Sequence, residues 1–189
     1  MKKLNLGCGT IYKEGWINVD FNKEVKADVY CDLTKVPLPF EKDSVDYILL
    51  DNTLEHIEKK YLFKFLDELW RICKNKAKIR INVPHYTSVV AFKHLAHYNY
   101  FGVGSFEIYN PKGSWKGERY GKARFKVLKE KLGLLYYDSR YFGFANVLVM
   151  PLNWFFNLGG LIWKQFWEKF NVFGFEEIEY ILEVVKESK

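Results

Sequence analysis

Gly7 and Gly9 follow one short apolar run, Asp20 ends a second, Asp32 follows a third and Asp51 closes a fourth. A glycine after a strand lets the backbone approach a ligand, because no Cβ intrudes. A carboxylate at a strand end can accept hydrogen bonds from both hydroxyls of a ribose. In an open α/β sheet, such residues gather beyond the carboxyl ends of the strands, where ligands bind. The chemistry implied is nucleoside binding. A dinucleotide site needs a third glycine opening a helix, and an acid about 20 residues on. Gly7-Cys8-Gly9-Thr10-Ile11-Tyr12 lacks that glycine, and Asp20 comes only 13 residues after Gly7. No GxxxxGK[ST] run exists, so a P-loop is excluded. NAD and ATP are therefore poor candidates.

The elements that must position these residues are short. Residues 3–6, 16–19 and 27–31 read as strands, and 45–50, "VDYILL", as a buried parallel strand. A helix is predicted from about Leu54 to Cys73, with Leu62, Phe65, Leu66, Leu69 and Ile72 on its buried face. Residues 77–83, "AKIRINV", read as the next strand, ended by Pro84. Ile178, Tyr180, Leu182 and Val184 alternate with Glu177, Glu179 and Glu183, which predicts a strand with one wet face at or near a sheet edge. The link Thr10 to Trp16 is too short for a full crossover helix and predicts a turn in its place. Strands alternating with helices argue for an open α/β sheet in a single domain.

The chain has 189 residues and 49% hydrophobic content, enough for one sizeable core. Its three cysteines, Cys8, Cys31 and Cys73, show no CxxC spacing, which argues against a disulfide framework or a zinc knuckle. No secretory signal pattern opens the sequence, so a cytoplasmic location is the expectation. Net charge is +6. From Pro111 to Lys131, eight Lys or Arg face two Glu, and eight minus two equals the whole excess. This patch, 112–131, reads either as a solvated hairpin or loop or as a contact for an anionic partner.

Taken in order, "LNLGCG", "NVD", "DVYCDL" and "PLPFEKDSVDYILLDNTLEHI" resemble the motifs of class I S-adenosylmethionine-dependent methyltransferases of the type 11 kind, over residues 3–86. The resemblance implies a Rossmann-like, doubly wound, seven-stranded, mostly parallel sheet whose last strand is antiparallel. It implies S-adenosyl-L-methionine as cofactor and divides the chain into a cofactor-binding half, 1–86, and a variable substrate or lid region, 87–175. The turn Gly7-Cys8-Gly9 matches the one that approaches the methionine part of the cofactor. Asp20 matches the acid on its ribose, and Asp32 and Leu33 match the pair on its adenine. Asn52 and Leu54 match the segment on the donor's other side. The family usually has an acid where Asn5 stands and a third glycine where Ile11 stands. Asn5 keeps hydrogen-bonding capacity without charge.

Methyl transfer asks the protein to align an acceptor and exclude water, with a base only when the acceptor must lose a proton. His56 and His85 are both expected at the carboxyl-end rim, each as a candidate base or as a packing histidine. Tyr86 is a candidate for positioning the acceptor. Glu55 is expected in a capping box with Asn52 as N-cap. Glu55-His56 also resembles a metal-binding element of quinone O-methyltransferases, but Asn52 stands where that element has an acid, so no metal is expected. His94 and His97, three apart on a predicted helix, lack a third ligand and read as surface or packing residues.

Between Arg140 and Lys164 lie 23 uncharged residues, and aromatics continue beside lysines to residue 175. Pro151, Gly159, Gly160, Asn146, Asn153 and Asn157 dilute that run as a membrane span. The segment 141–175 reads foremost as core and lid. A wall for a lipid-like acceptor, a homodimer surface or a peripheral membrane contact are the alternatives. The acceptor expected is a small molecule or a lipid- or glycan-linked one, hydrophobic or anionic, methylated on oxygen. Two rivals are an RNA methyltransferase using the 112–131 patch and a non-catalytic cofactor-binding scaffold. Nucleic acid is the weaker partner, because no appended RNA-binding module and no NPPY-type motif occurs.

Overall fold

A computed structural model describes residues 1–112, 120–134, 143–170 and 174–186, with only the helical backbone given for 143–149. Seven strands form one sheet: β1 (Lys3–Leu6), β2 (Ile17–Asp20), β3 (Val29–Tyr30), β4 (Val45–Asp51), β5 (Cys73–Pro84), β6 (Phe125–Gly133) and β7 (Glu177–Val184). Their order is β3-β2-β1-β4-β5-β7-β6. The first five pair in parallel, while β7 runs antiparallel between β5 and β6. This is the sheet expected from the resemblance. Order reverses at β1, which has β2 on one side and β4 on the other, so the switch point lies where the glycines are.

The crossover helices are sparse. Gly7 to Trp16 contains turns and no helix, as the short link predicts. Two buried amides replace the helix. Asn5 Nδ2 donates to Ile11 O at 2.9 Å and to Asn18 Oδ1 at 3.0 Å. Asn18 Nδ2 donates to Lys13 O and Trp16 O, and its Oδ1 accepts from Lys13 N. The loop thus turns the Ile11, Lys13 and Trp16 carbonyls inward, and the Asn5 amide supplies the donor to Ile11 O. A carboxylate has no proton to give, which accounts for the amide where the family has an acid.

The β4–β5 crossover carries α1 (Lys59–Ile72), with Phe65, Leu66, Leu69 and Ile72 buried and Leu62 partly so. The helix starts later than its periodicity suggests. Leu54–His56 forms a separate 3-10 turn with no side-chain cap. The expected capping box is absent. Asn52 sits at φ 47°, in the left-handed region, and Thr53 spends its hydroxyl on Leu6 O and Asp51 O, both at 3.1 Å. Glu55 is instead buried with Oε2 unpartnered, and burial pushes its carboxyl up to about 8.

Helix α1 also fixes the loop after β3. The nearly buried Glu68 accepts from Leu38 N at 2.7 Å and from Arg71, which in turn donates to Phe40 O at 2.8 Å. A charged pair satisfied in this way ties residues 33–40 to the helix and holds Asp32 and Leu33 beside the β2 end.

The aromatic segment 141–175 contains two helices, α3 (Gly143–Phe156) and α4 (Leu161–Phe170), separated at Asn157 to Gly160. Its asparagines explain the dilution. Asn157 pairs with both Leu132 N and Leu132 O at 2.8 Å, and Asn153 Oδ1 accepts from Leu134 N at 2.9 Å. These bonds cover backbone of the edge strand β6, which would otherwise be open to another chain. Among the described residues no helix is long and apolar enough to cross a membrane. Part of the basic stretch, residues 113–119, lies outside the described residues, as do 141, 142 and 171–173 of the aromatic segment. The remainder of the basic stretch enters β6, a strand that charge alone did not reveal.

Candidate active site

A cavity of about 500 Å³ opens beyond the carboxyl ends of β1, β2 and β4. Gly7, Asp20, Asp32, Leu33 and Asn52 line it, joined by Phe21, Thr34, Thr53, His56, Ile57, Ala96 and Tyr98. The turn is built around Gly7, at φ +68°, whose N–H donates to Val19 O at 2.8 Å. Asp20 shapes the same turn: Oδ2 accepts from Gly9 N at 2.8 Å and Oδ1 from Asn22 N at 2.9 Å. Each oxygen keeps a second lone pair for a ligand hydroxyl. Asp32 is held by Thr34, whose N and Oγ1 donate to Oδ1 at 2.9 and 2.6 Å. Those bonds, from the Thr34 hydroxyl foremost, lower its pKa and keep it charged.

Other sequence candidates support the cavity without lining it. Asn5 is consumed by the loop, and Leu54 is wholly buried. Gly9 reaches the site only as a donor to Asp20, and Cys8 is buried, its thiol raised by burial and by Asp20.

His56 and His85 part company. The sequence puts both at the rim, but only His56 lines the cavity. His85 is completely buried. Its Nδ1 lies 2.7 Å from Thr87 Oγ1 and 3.2 Å from Thr87 N, and its Nε2 donates to Glu168 Oε1 on α4 at 2.7 Å. Both nitrogens are spent, one on Thr87 just past β5 and the other on Glu168 of α4. Tyr86 is half-exposed, stacks at a tilt on His85 and likewise does not line the cavity.

Sequence reading missed the far wall. Tyr98 N donates to Glu55 O at 2.8 Å, and Asn99 Nδ2 reaches Leu54 O at 3.1 Å. These bonds fold residues 94–99 back over the 3-10 turn. They bring Ala96 and Tyr98 to the cavity, a long-range pairing without a local signal. His94 and His97 are not helical as expected, since α2 (Val89–Lys93) ends before them.

The charged side chains lining the cavity are two carboxylates, and among the described residues no lysine or arginine does so. Such a wall repels a nucleoside phosphate and attracts a nucleoside bearing a cation. Residues 4–81 match the family model described as a methyltransferase domain. Over those residues, and in its sheet order, the chain is similar to S-adenosylmethionine-dependent methyltransferases. S-adenosylmethionine is the cofactor that this similarity implies, and its sulfonium suits the acidic wall. No curated protein sequence matches the chain. Among solved structures it is similar to a SAM-dependent methyltransferase from Archaeoglobus fulgidus, at 19% identity and TM-score 0.56, covering 96% of this chain and 85% of the other. It is also similar to an S-adenosylmethionine-dependent methyltransferase from Mesorhizobium loti, at 11% identity and TM-score 0.56, covering 96% and 90%. The [4+2]-cyclase SpnF is a third, at 13% identity and TM-score 0.56, covering 98% and 75%. At such identities the likeness is one of fold, and a fold does not fix a reaction.

Proposed function

We propose that the chain is an S-adenosylmethionine-dependent methyltransferase acting on an oxygen of a small-molecule or lipid- or glycan-linked acceptor, hydrophobic or anionic, that enters past His56. When bound, the cofactor supplies an activated methyl group on a sulfonium. In this reading Asp20 accepts from its ribose hydroxyls, Asp32 and Leu33 hold its adenine, and Gly7 lets the backbone approach its methionine part. Phe21, Ile57 and Tyr98 form an apolar wall that excludes water and favours a greasy acceptor.

The observation that carries the reading is the state of His56. Its Nδ1 lies 3.0 Å from Ala96 O, which can only accept, so Nδ1 holds the proton and Nε2 keeps a free lone pair. Burial and the two neighbouring histidines, against the pull of Ala96 O, lower its pKa and keep the ring neutral. A neutral imidazole at a cavity wall can take a hydroxyl proton. His85, with both nitrogens engaged, has no lone pair to offer.

The α3–α4 pair exposes Trp154, Ile162, Phe166 and Phe170. That ridge favours an acceptor presented at a lipid surface, with the protein bound there peripherally. The test is transfer of a labelled methyl group to fractionated lipid, glycan and RNA extracts. Label in a lipid or glycan fraction, falling about 10²–10⁴-fold in His56→Ala while S-adenosylhomocysteine still binds, is expected. Label in RNA alone, or none in any fraction from protein that binds the cofactor, would overturn the reading.

A further inference from the structure

Three of the chain's four histidines converge beside the cavity, which His56 lines. The ligating atoms of His56, His94 and His97 all lie within 4.8 Å of one another. Ring centroids are 4.7 Å apart for His56 and His97, 5.2 Å for His56 and His94, and 4.6 Å for His94 and His97. Residue 56 lies far from 94 and 97 in sequence, so the fold itself builds the cluster.

The second contacts of these rings are those of metal ligands. His56 Nδ1 faces Ala96 O at 3.0 Å, and His97 Nδ1 faces Ala91 O at 3.2 Å. A carbonyl only accepts, so both rings carry the proton on Nδ1 and leave the Nε2 lone pair free. Fixing the tautomer through a backbone carbonyl is how protein frameworks orient histidine ligands. His94 is exposed and stacked on His97 at 19°. Its one bond within the cluster segment is long, Ala96 N to Nδ1 at 3.4 Å, so its ring can turn to offer either nitrogen.

We infer that His56, His94 and His97 form a three-histidine site for a borderline divalent transition ion, of which Zn²⁺ is the type, with a coordination position open toward the cofactor cavity. Three neutral imidazoles with one open position suit Zn²⁺. Mg²⁺ and Ca²⁺ require oxygen ligands, and none is supplied by these side chains. An ion here would sit beside Ala96, on the wall lined by His56. In the metal-free protein His56 is the base proposed above; with an ion bound its Nε2 would coordinate, and the ion would orient and polarise the acceptor oxygen in its place. That role rests on the acceptor reading above; the site itself does not.

The experiment is calorimetric titration of ZnCl₂ into the chelator-stripped full chain, wild type against the double variant His94→Ala/His97→Ala. Both substituted side chains are partly or fully exposed, so the variant is expected to fold, which circular dichroism checks. One equivalent should bind the wild type. Loss of two ligands should weaken binding by at least about 100-fold, beyond the effect of removing outer contacts. Co²⁺ in place of Zn²⁺ should give the visible bands of a four-coordinate ion, absent from the variant. Folded wild type that takes up no Zn²⁺ saturably would overturn the site, as would equal uptake by the variant. S-adenosylhomocysteine binding, measured on the same metal-free samples, reports separately on the cofactor cavity.

Discussion

Gly7→Ala is expected to destabilise the protein by about 3 kcal/mol and to abolish cofactor binding. Two costs add. An alanine at φ +68° pays about 1–2 kcal/mol for the left-handed conformation. Its Cβ would also lie 2.5 Å from both Cγ2 and Oγ1 of Thr53. Thr53 cannot yield easily. It is β-branched and buried, and its hydroxyl is anchored on Leu6 O and Asp51 O. Forced overpacking of this kind costs about 1–3 kcal/mol. Gly15→Ala is the control: its φ is +74°, but nothing lies within 4 Å of the added carbon. It should lose only the conformational part and keep the cofactor. Urea unfolding measures both, as midpoint shifts at unchanged slope. Equal losses in the two variants would show that Thr53 does not confine the turn.

The second large effect is expected far from the cavity. Glu168→Ala should cost about 3 kcal/mol, the range seen when one partner of a buried polar pair is removed. It would strand His85 Nε2 in a fully buried site and free Val103 N, both of which now meet Glu168 Oε1. Glu168→Gln keeps an acceptor oxygen and should lose less. Neither should change S-adenosylhomocysteine affinity in protein that remains folded, because the pair pins α4 to the β5 end and does not touch the cavity. A loss of affinity in folded Glu168→Gln would restore His85 as a candidate for the chemistry.

Which parts could be read from sequence follows from where the determining contacts lie. Gly7, Asp20, Asp32 and β4 were legible because parallel strands put their ends on one side, so local patterns specify the site. Even the missing first helix was legible, from the length of Thr10 to Trp16. The capping box was misread because Asn52-Thr53-Leu54-Glu55 fits the pattern locally, while Thr53 is claimed by β1 through Leu6 O. Strand β6 escaped because Lys126, Lys129 and Lys131 read as a solvated patch; an edge strand tolerates such charges. The histidine cluster and the Ala96–Tyr98 wall depend on contacts about 40 residues apart in sequence, such as Asn99 to Leu54 at 3.1 Å. Periodicity carries no information at that range.

We propose that the cavity at the β1 switch point, organised by Asp20, holds the cofactor. The most direct measurement is calorimetric titration of S-adenosylhomocysteine into wild type and Asp20→Ala. Asp20 accepts from Gly9 N and Asn22 N, and its charge-assisted bonds are each worth about 1.5–3 kcal/mol. Saturable one-to-one binding by the wild type, weakened at least about 100-fold by the substitution, is the result predicted. Folded wild type that fails to bind, or Asp20→Ala that binds equally well, would contradict it.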